Sequence, residues 1–129
     1  MNTGPAHVAR AVLEAVVFQT FDLLNAMIED ADLRPSALRV DGGMVANDWL
    51  CQFLADIVDM PVERPRVSET TALGAAYLAG LEVGVYSSLN EVTEAWQCEK
   101  RWAPTIDPKL RAGLLEGWQQ ALKRTLLEV

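Results

Sequence analysis

The stretch that decides the fold is residues 40–47, which read Val40-Asp41-Gly42-Gly43-Met44-Val45-Ala46-Asn47. A short apolar strand, predicted for residues 37–40, runs into two glycines, and apolar residues then recur at helical spacing. Adjacent glycines permit positive φ and leave the turn without Cβ atoms, so that a ligand can reach the backbone. The free amides at the start of the predicted helix, together with its dipole, favour an anion such as phosphate there.

Asn47 lies four residues after Gly43, which places it one turn into the predicted helix. From there its side-chain amide can offer a donor and an acceptor to a sugar or a base. The turn is not a P-loop, because no Gly-Lys-Ser/Thr follows, and it lacks the spacing of a dinucleotide fingerprint. Two interpretations stay open on the residues alone: a phosphate or nucleotide site formed by Gly42, Gly43 and Asn47, or a tight turn that binds nothing.

Outward from this turn, the periodicity predicts the order helix, strand, helix, strand, helix, arm, helix, which is an α/β pattern with few strands. Helices are expected over residues 5–30, from the turn to about residue 58, over 70–82 and from 108 onward; strands are expected over 37–40 and 62–64. Residues 97–102 fit a strand or an extended arm. Two short strands are a small sheet for four helices, which indicates part of a larger fold or pairing with another chain.

Some local features predict how these elements pack. The first helix is apolar over most of its circumference, so we expect it to be mostly buried. Pro61 and Pro65 flank the second strand and predict an edge position or a very short pairing. The apolar stripe of the second helix places Trp49 in the core. The small residues of the third helix allow close approach to a neighbour, and at its start Thr70 and Thr71 are expected to cap or pack rather than bind phosphate.

The ends of two helices carry local signals. Gly84 follows the third helix and is expected to end it. Asp107 precedes Pro108 at the start of the last helix, a pair that is typical of an N-cap and a first helical turn. We therefore expect the Asp107 side chain to cap that helix.

Composition limits the class of protein. The chain has 129 residues, half of them apolar and 22% charged, which is enough for one domain with a core. A net charge of −7 offers no basic footprint for duplex nucleic acid. Cys51 and Cys98 have no spaced Cys or His partners, so we expect two partly buried free thiols and no metal site. The apolar run over residues 12–18 is interrupted by Glu14, so we expect no membrane span and a soluble, cytoplasmic chain.

The residues around the glycine turn resemble a known family. Residues 38–50 are similar to the second adenosine-binding motif of the glycerol kinases, within the FGGY carbohydrate kinases, and the similarity continues through residues 52–57, 61–65 and 69–81 and upstream at 7–14. The resemblance covers nearly the whole chain. Other sugar kinases of this superfamily usually carry a Gly-Gly-Gly-Ala-type turn. The Asp-Gly-Gly turn followed by Val-Ala-Asn therefore favours the glycerol kinases over the xylulose or gluconate kinases.

The resemblance implies a fold and an activity. The family folds as two actin-like domains, each with a ribonuclease-H-like core, and ATP and polyol meet between them. Residues 1–129 are then expected to be the C-terminal portion of the second domain, a single incomplete α/β domain that is helix-rich with a few short strands. Gly42 and Gly43 would border the ATP phosphates and the adenosine, and Asn47 would contact the nucleotide. In the family, the γ-phosphoryl group of Mg-ATP moves to a terminal hydroxyl of glycerol and gives glycerol 3-phosphate.

Other parts of the family's site have no counterpart among these residues. The family's Asp-Gln-Gly-Thr-type phosphate loop, its glycerol-contacting residues and its catalytic-base aspartate find no match here, so no catalytic residue is assigned. We therefore expect the isolated chain to be inactive. Two alternatives stay open: a standalone interaction module that kept the fold and lost catalysis, and a part of another FGGY sugar kinase. Assembly into a homo-oligomer is a further expectation from the resemblance.

Overall fold

The structure is a computed structural model that describes residues 3–67 and 69–126. Five α-helices and three strands follow one another in these residues, with a one-turn 3-10 helix after the first strand. In chain order they are α1 (Pro5–Ala31), β1 (Leu38–Arg39), the 3-10 helix (Gly43–Ala46), α2 (Asp48–Val58), β2 (Val62–Pro65), α3 (Thr70–Glu82), α4 (Leu89–Glu94), β3 (Cys98–Trp102) and α5 (Pro108–Leu126). The prediction of a helix-rich α/β chain with a few short strands is confirmed.

The sheet has the order β1-β2-β3, with β1 parallel to β2 and β3 antiparallel to it. The predicted edge position of the second strand is therefore wrong, because β2 is central. Its flanking prolines are tolerated for two local reasons. Pro61 precedes the paired residues and its carbonyl accepts a hydrogen bond from the Leu38 amide at 2.8 Å. Pro65 lies at an irregularity of the β2–β3 register, where the missing N–H interrupts no regular ladder.

The core is centred on α2, which packs against α1, α5 and the sheet. Phe18 of α1 joins three of these elements, because its ring meets Phe53 edge to face at 5.8 Å and stacks on Trp118 of α5 at 5.4 Å. The Trp118 Nε1–H donates to the Asp22 carboxylate at 2.7 Å. Trp49 stacks on Phe53 from the outside at 5.1 Å and remains 39% exposed. The prediction that Trp49 belongs to the core is therefore wrong.

α1 has two apolar faces, of which this chain covers one. The buried face carries Val17, Phe18 and Leu24. The other face is exposed, so the prediction that the helix is mostly buried is wrong; its large apolar residues are Val8, Val12, Val16, Leu23 and Met27. Periodicity identified the apolar residues correctly, but α2 and α5 lie on the same side of α1 and leave the opposite side open.

The same helix bears on the question of a membrane. Among the described residues, α1 is the one helix that is long and apolar enough, by length and composition alone, to cross a bilayer. The expectation that the apolar run is too short and too interrupted does not hold by this criterion. Core helices of soluble proteins share these properties, and one side of α1 is already packed against α2 and α5. The absence of a membrane partner and the cytoplasmic location stay predictions.

α3 confirms the predicted bounds but makes little use of its small residues within this chain. At Gly80 an added Cβ would come within 2.8 Å of the Tyr86 ring, so the close approach is real there. At Gly74 no heavy atom lies within 4 Å of that position. Gly84 follows the helix with φ +76°, a conformation that favours glycine, and ends it as predicted.

The two thiols differ in their exposure to solvent, which the sequence did not predict. Cys51 is buried, whereas Cys98 is exposed, so the expectation of partial burial is wrong for both. Burial raises the pKa of the Cys51 thiol and lowers its thiolate fraction at any given pH.

We expect Ellman's reagent to modify Cys98 at least about 100-fold faster than Cys51, which reacts only after local opening. The measurement is the time course of absorbance in native buffer, and Cys98→Ser should remove the fast phase. Two equal rates would contradict the placement of Cys51 in the core.

Candidate functional site

The glycine turn is open and has a backbone conformation that requires glycine at one position. Gly42 has φ +88° and ψ 174°, a region that is essentially restricted to glycine. Its carbonyl accepts a hydrogen bond from the Val45 amide at 3.3 Å, which starts the 3-10 helix. A Cβ added at Gly42 or Gly43 would meet no heavy atom within 4 Å. A ligand can therefore reach the backbone here, as the sequence predicts.

The helix after the turn begins later than predicted, and this changes the role of Asn47. The residue is not one turn into a helix; it is the N-cap of α2, with extended backbone angles. Its Oδ1 accepts hydrogen bonds from the amides of Trp49 and Leu50 at 3.0 and 3.3 Å. The side-chain oxygen is thus engaged in capping, and the group that Asn47 can offer to a ligand is its Nδ2 amide.

The predicted source of phosphate affinity at the glycines is also corrected. The 3-10 helix of residues 43–46 separates the glycines from α2. The first amides of α2 donate to Asn47 rather than to the space beside Gly42 and Gly43. An anion at the turn would therefore meet the exposed backbone of the glycines and not the N-terminus of a long helix.

An open cleft of about 830 Å³ lies beside the turn. The glycines form one wall, and the others come from β2 and its continuation, from the start of α3 and from β3. Its lining residues are Asp41, Gly42, Gly43, Val45, Ala46, Arg64, Pro65, Arg66, Glu69, Thr70, Thr71 and Glu99. The structure thus brings Gly42 and Gly43 into one cleft, while Asn47 is exposed nearby and is not part of the lining.

Two lining residues, Thr70 and Thr71, begin α3 as predicted but do not cap it. Glu69 is the N-cap of α3, and no side chain caps this helix within the described residues. Of the expectation that Thr70 and Thr71 cap or pack, the capping part is therefore wrong, and the packing part stays a prediction. Both threonines line the cleft, and a threonine hydroxyl can donate to or accept from a ligand.

The lining also contains charged residues that the sequence alone did not reveal, above all Arg64, Arg66 and Glu99. The strand topology explains why Arg64 and Arg66 belong to the cleft. β1 and β2 are parallel, so their carboxyl ends meet at one edge, where ligands of α/β proteins commonly bind. Gly42 follows the first strand and Arg66 follows the second. The parallel pairing itself depends on tertiary structure, which no local motif revealed.

The charges of the cleft are mixed. Asp41, Glu69 and Glu99 contribute carboxylates, while Arg64 and Arg66 contribute guanidinium groups. Hydrogen bonding to Glu99 is the main cause that raises the pKa of Arg64, which stays charged. Arg66 has no carboxylate partner among the described residues and contacts the Gln97 side-chain oxygen at 3.4 Å. Arg66 is therefore the cation that a phosphate in this cleft could meet.

The described residues hold no group of three or more His, Cys, Asp or Glu side chains that could bind a metal ion. A divalent cation in this cleft would have to be held mainly by the ligand. Mg²⁺ commonly enters nucleotide sites in this way, bound to phosphates and water with few protein ligands.

Comparison with known proteins identifies the family of this chain. The sequence profile of the FGGY family of carbohydrate kinases, C-terminal domain, matches residues 1–83. The glycerol kinase of Gluconobacter oxydans (strain 621H) is 54% identical over 126 residues, which are 98% of this chain and 25% of that protein. The chain thus spans about a quarter of the length of the curated relatives it matches.

Solved structures show the same relationship. The crystal structure of Plasmodium falciparum glycerol kinase with ADP matches 100% of this chain and 26% of its own, at a TM-score of 0.87 and 34% identity. Ligand-bound xylulose kinase from Lactobacillus acidophilus matches 95% of this chain and 25% of its own, at a TM-score of 0.80 and 25% identity. Because the family profile covers more than half of the residues, and the fold is shared with these kinases, the chain belongs to the FGGY family of carbohydrate kinases.

Proposed function

We propose that this chain is the nucleotide-binding portion of a glycerol kinase, and that residues 1–129 form the C-terminal portion of that enzyme's C-terminal domain. The observation that carries the proposal is the open Gly42–Gly43 turn at the carboxyl edge of two parallel strands, facing a cleft large enough for a nucleotide. The 54% identity to a glycerol kinase over nearly the whole chain supports the choice of activity.

In this proposal the glycines let the phosphates and the adenosine of ATP approach the backbone. Asn47 Nδ2 donates to the nucleotide from the rim, while the Asn47 oxygen keeps α2 capped. Thr70, Thr71 and Arg66 line the same cleft, and in this proposal their hydroxyl and guanidinium groups supply further donors to the nucleotide. The Plasmodium glycerol kinase that this chain resembles was crystallised with ADP, which supports an adenine nucleotide as ligand.

The reaction we propose for the whole enzyme transfers the γ-phosphoryl group of Mg-ATP to a terminal hydroxyl of glycerol, which gives glycerol 3-phosphate. Phosphoryl transfer depends mainly on positioning and charge neutralisation. The residues of this chain position the nucleotide. Mg²⁺, bound to the phosphates, would supply charge neutralisation. No residue of this chain is assigned as the base or as a glycerol ligand.

The alternatives are less well supported. A xylulose kinase shares the fold at 25% identity, well below the 54% shared with the Gluconobacter glycerol kinase. A non-catalytic interaction module would not require an open turn and a polar cleft. Oligomeric assembly, a cytoplasmic location and the absence of nucleic-acid partners stay predictions.

The first test is a calorimetric titration of the chain with Mg-ADP, and it compares two substitutions of Asn47. Asn47→Ala removes both the Nδ2 donor and the cap, and the lost cap costs about 0.5–2 kcal/mol of stability. Asn47→Ser keeps a capping oxygen but lacks the amide donor, so it isolates the ligand contact. We expect both variants to bind ADP roughly three- to tenfold more weakly than wild type, the effect of one lost hydrogen bond.

Thermal unfolding without ligand is the control, since only Asn47→Ala should melt at a lower temperature. Unchanged ADP affinity in Asn47→Ser would contradict the contact. No saturable heat with the wild-type chain, at ADP concentrations that detect millimolar binding, would contradict a nucleotide site preformed in these residues.

A further inference from the structure

The side chain of Arg64 connects four elements around the cleft, although it is only 14% exposed. Its Nε and Nη2 donate to the two carboxylate oxygens of Glu99 on β3, at 2.8 and 3.3 Å. Its Nη1 donates to Asp48 at the start of α2, at 3.0 Å, and to the backbone carbonyl of Val45 in the 3-10 helix, at 2.7 Å. One guanidinium on the central strand therefore contacts β3, α2 and the turn.

These bonds leave Arg64 little capacity to bind a ligand directly. Four of the five N–H groups of a guanidinium are engaged. Its positive charge lies between two carboxylates, Asp48 and Glu99. Asp48 also accepts from Lys100 Nζ at 2.6 Å, which is the main cause that holds the pKa of this carboxyl below its usual value. Arg64 lines the cleft, yet its donors point into the protein's own network.

Among these contacts, the hydrogen bond to the Val45 carbonyl is the one that connects Arg64 to the turn. The last carbonyls of a helix have no partner within it, and the structure supplies two partners for this one. Arg64 Nη1 donates to it at 2.7 Å, and the Cys51 thiol donates to it at 3.3 Å. The 3-10 helix that carries Gly43 is thereby tied to β2 on one side and to α2 on the other.

We propose that Arg64 is a positioning residue of the nucleotide site, whose guanidinium holds the glycine turn in the shape that the nucleotide meets. The inference rests on the function proposed above. The planar fork of arginine is needed, because its three nitrogens reach a bidentate carboxylate and a carbonyl at once, while the three N–H groups of a lysine ammonium all leave from one nitrogen. Trp102 also contacts the Arg64 guanidinium by a cation–π interaction, since its ring centre lies 5.1 Å from the guanidinium carbon.

The test uses Arg64→Lys and Arg64→Gln, with Arg101→Gln as the matched control. Arg101 lies on β3 and pairs with Glu63 at 3.0 Å, so its loss removes an arginine ion pair from the same sheet without a bond to the turn. Two readouts need no nucleotide: hydrogen exchange of the amides of residues 43–47, and the rate at which Cys51 reacts with Ellman's reagent. The third readout is Mg-ADP affinity by calorimetry.

We expect Arg64→Lys and Arg64→Gln to speed exchange at the turn and modification of Cys51, and to weaken ADP binding by about tenfold, the loss of one charge-assisted bond. Arg101→Gln should change none of the three. Unchanged exchange and thiol reactivity in both Arg64 variants would overturn the positioning role, whatever ADP does.

The two proposals fail in different ways. A looser turn with unchanged ADP affinity would overturn the inference and leave the proposed function standing. A wild-type chain that binds no ADP would overturn the proposed nucleotide site and, with it, the inference. Circular dichroism of each variant verifies that the comparison is made between folded chains, and Arg64→Lys is the variant that disturbs the fold least.

Discussion

Replacing Phe18 by alanine is expected to lower the free energy of unfolding by about 3–5 kcal/mol, the range for buried aromatic truncations. The side chain is 7% exposed and its ring contacts Phe53 of α2 and Trp118 of α5. Its removal leaves a cavity at the point where three helices meet. Domains of this size are stable by about 5–15 kcal/mol, so the loss is a large share of the total. Urea denaturation, followed by tryptophan fluorescence and by circular dichroism, measures it.

Leu23→Ala is the matched control for Phe18→Ala, because Leu23 lies on the same helix but on its exposed face. The side chain is 63% exposed, so we expect a change of about 0.5 kcal/mol or less. Comparable losses in the two variants would mean that the second apolar face of α1 is covered in solution. The description of α1 as buried on one side only would then be wrong.

The sequence predicted those elements whose signals are local. α5 shows this most clearly: Asp107 is expected to cap it, and its Oδ1 accepts from the amides of Lys109 and Leu110 at 2.9 and 3.1 Å. α1 shows the limit. Its apolar residues were identified, but which face is buried depends on the side that α2 and α5 occupy. The central position of β2 was missed for the same reason, since strand order is a property of pairing and not of the strand.

The same distinction between local signals and tertiary placement applies to the residues of the candidate site. Gly42 and Gly43 could be identified from the sequence because the requirement for glycine is local. Arg64 and Thr70 could not, because they join the cleft only through the parallel pairing of β1 with β2 and the placement of α3. For Asn47 the predicted position one turn into the helix was wrong, since one turn of 3-10 helix delays α2 by five residues relative to Gly43. The ligand contact at Asn47 remains a prediction.

Gly42→Ala is expected to have the largest effect on nucleotide binding among single-methyl changes. The residue has φ +88° and ψ 174°, and holding an L-residue there costs on the order of 1–3 kcal/mol. This cost is divided between stability and affinity, according to how far the turn relaxes. If the turn keeps its shape, the free energy of unfolding falls by that amount. If it relaxes to a normal φ, the shape competent to bind becomes a minor population and ADP affinity falls by roughly five- to 150-fold.

Gly43→Ala distinguishes the effect of backbone strain from the effect of a methyl group that blocks the ligand. An added Cβ meets open space at both glycines, but only Gly42 has positive φ. At residue 43, inside the 3-10 helix, alanine should leave stability unchanged or raise it by up to about 1 kcal/mol, because it restricts the unfolded chain. Its methyl group points into space that the nucleotide needs if the proposed site is correct. We therefore expect calorimetry to show weaker ADP binding for both variants, and thermal unfolding without ligand to show lower stability only for Gly42→Ala. Gly43→Ala with wild-type ADP affinity would remove Gly43 from the site, because a nucleotide against that backbone leaves no room for the methyl group.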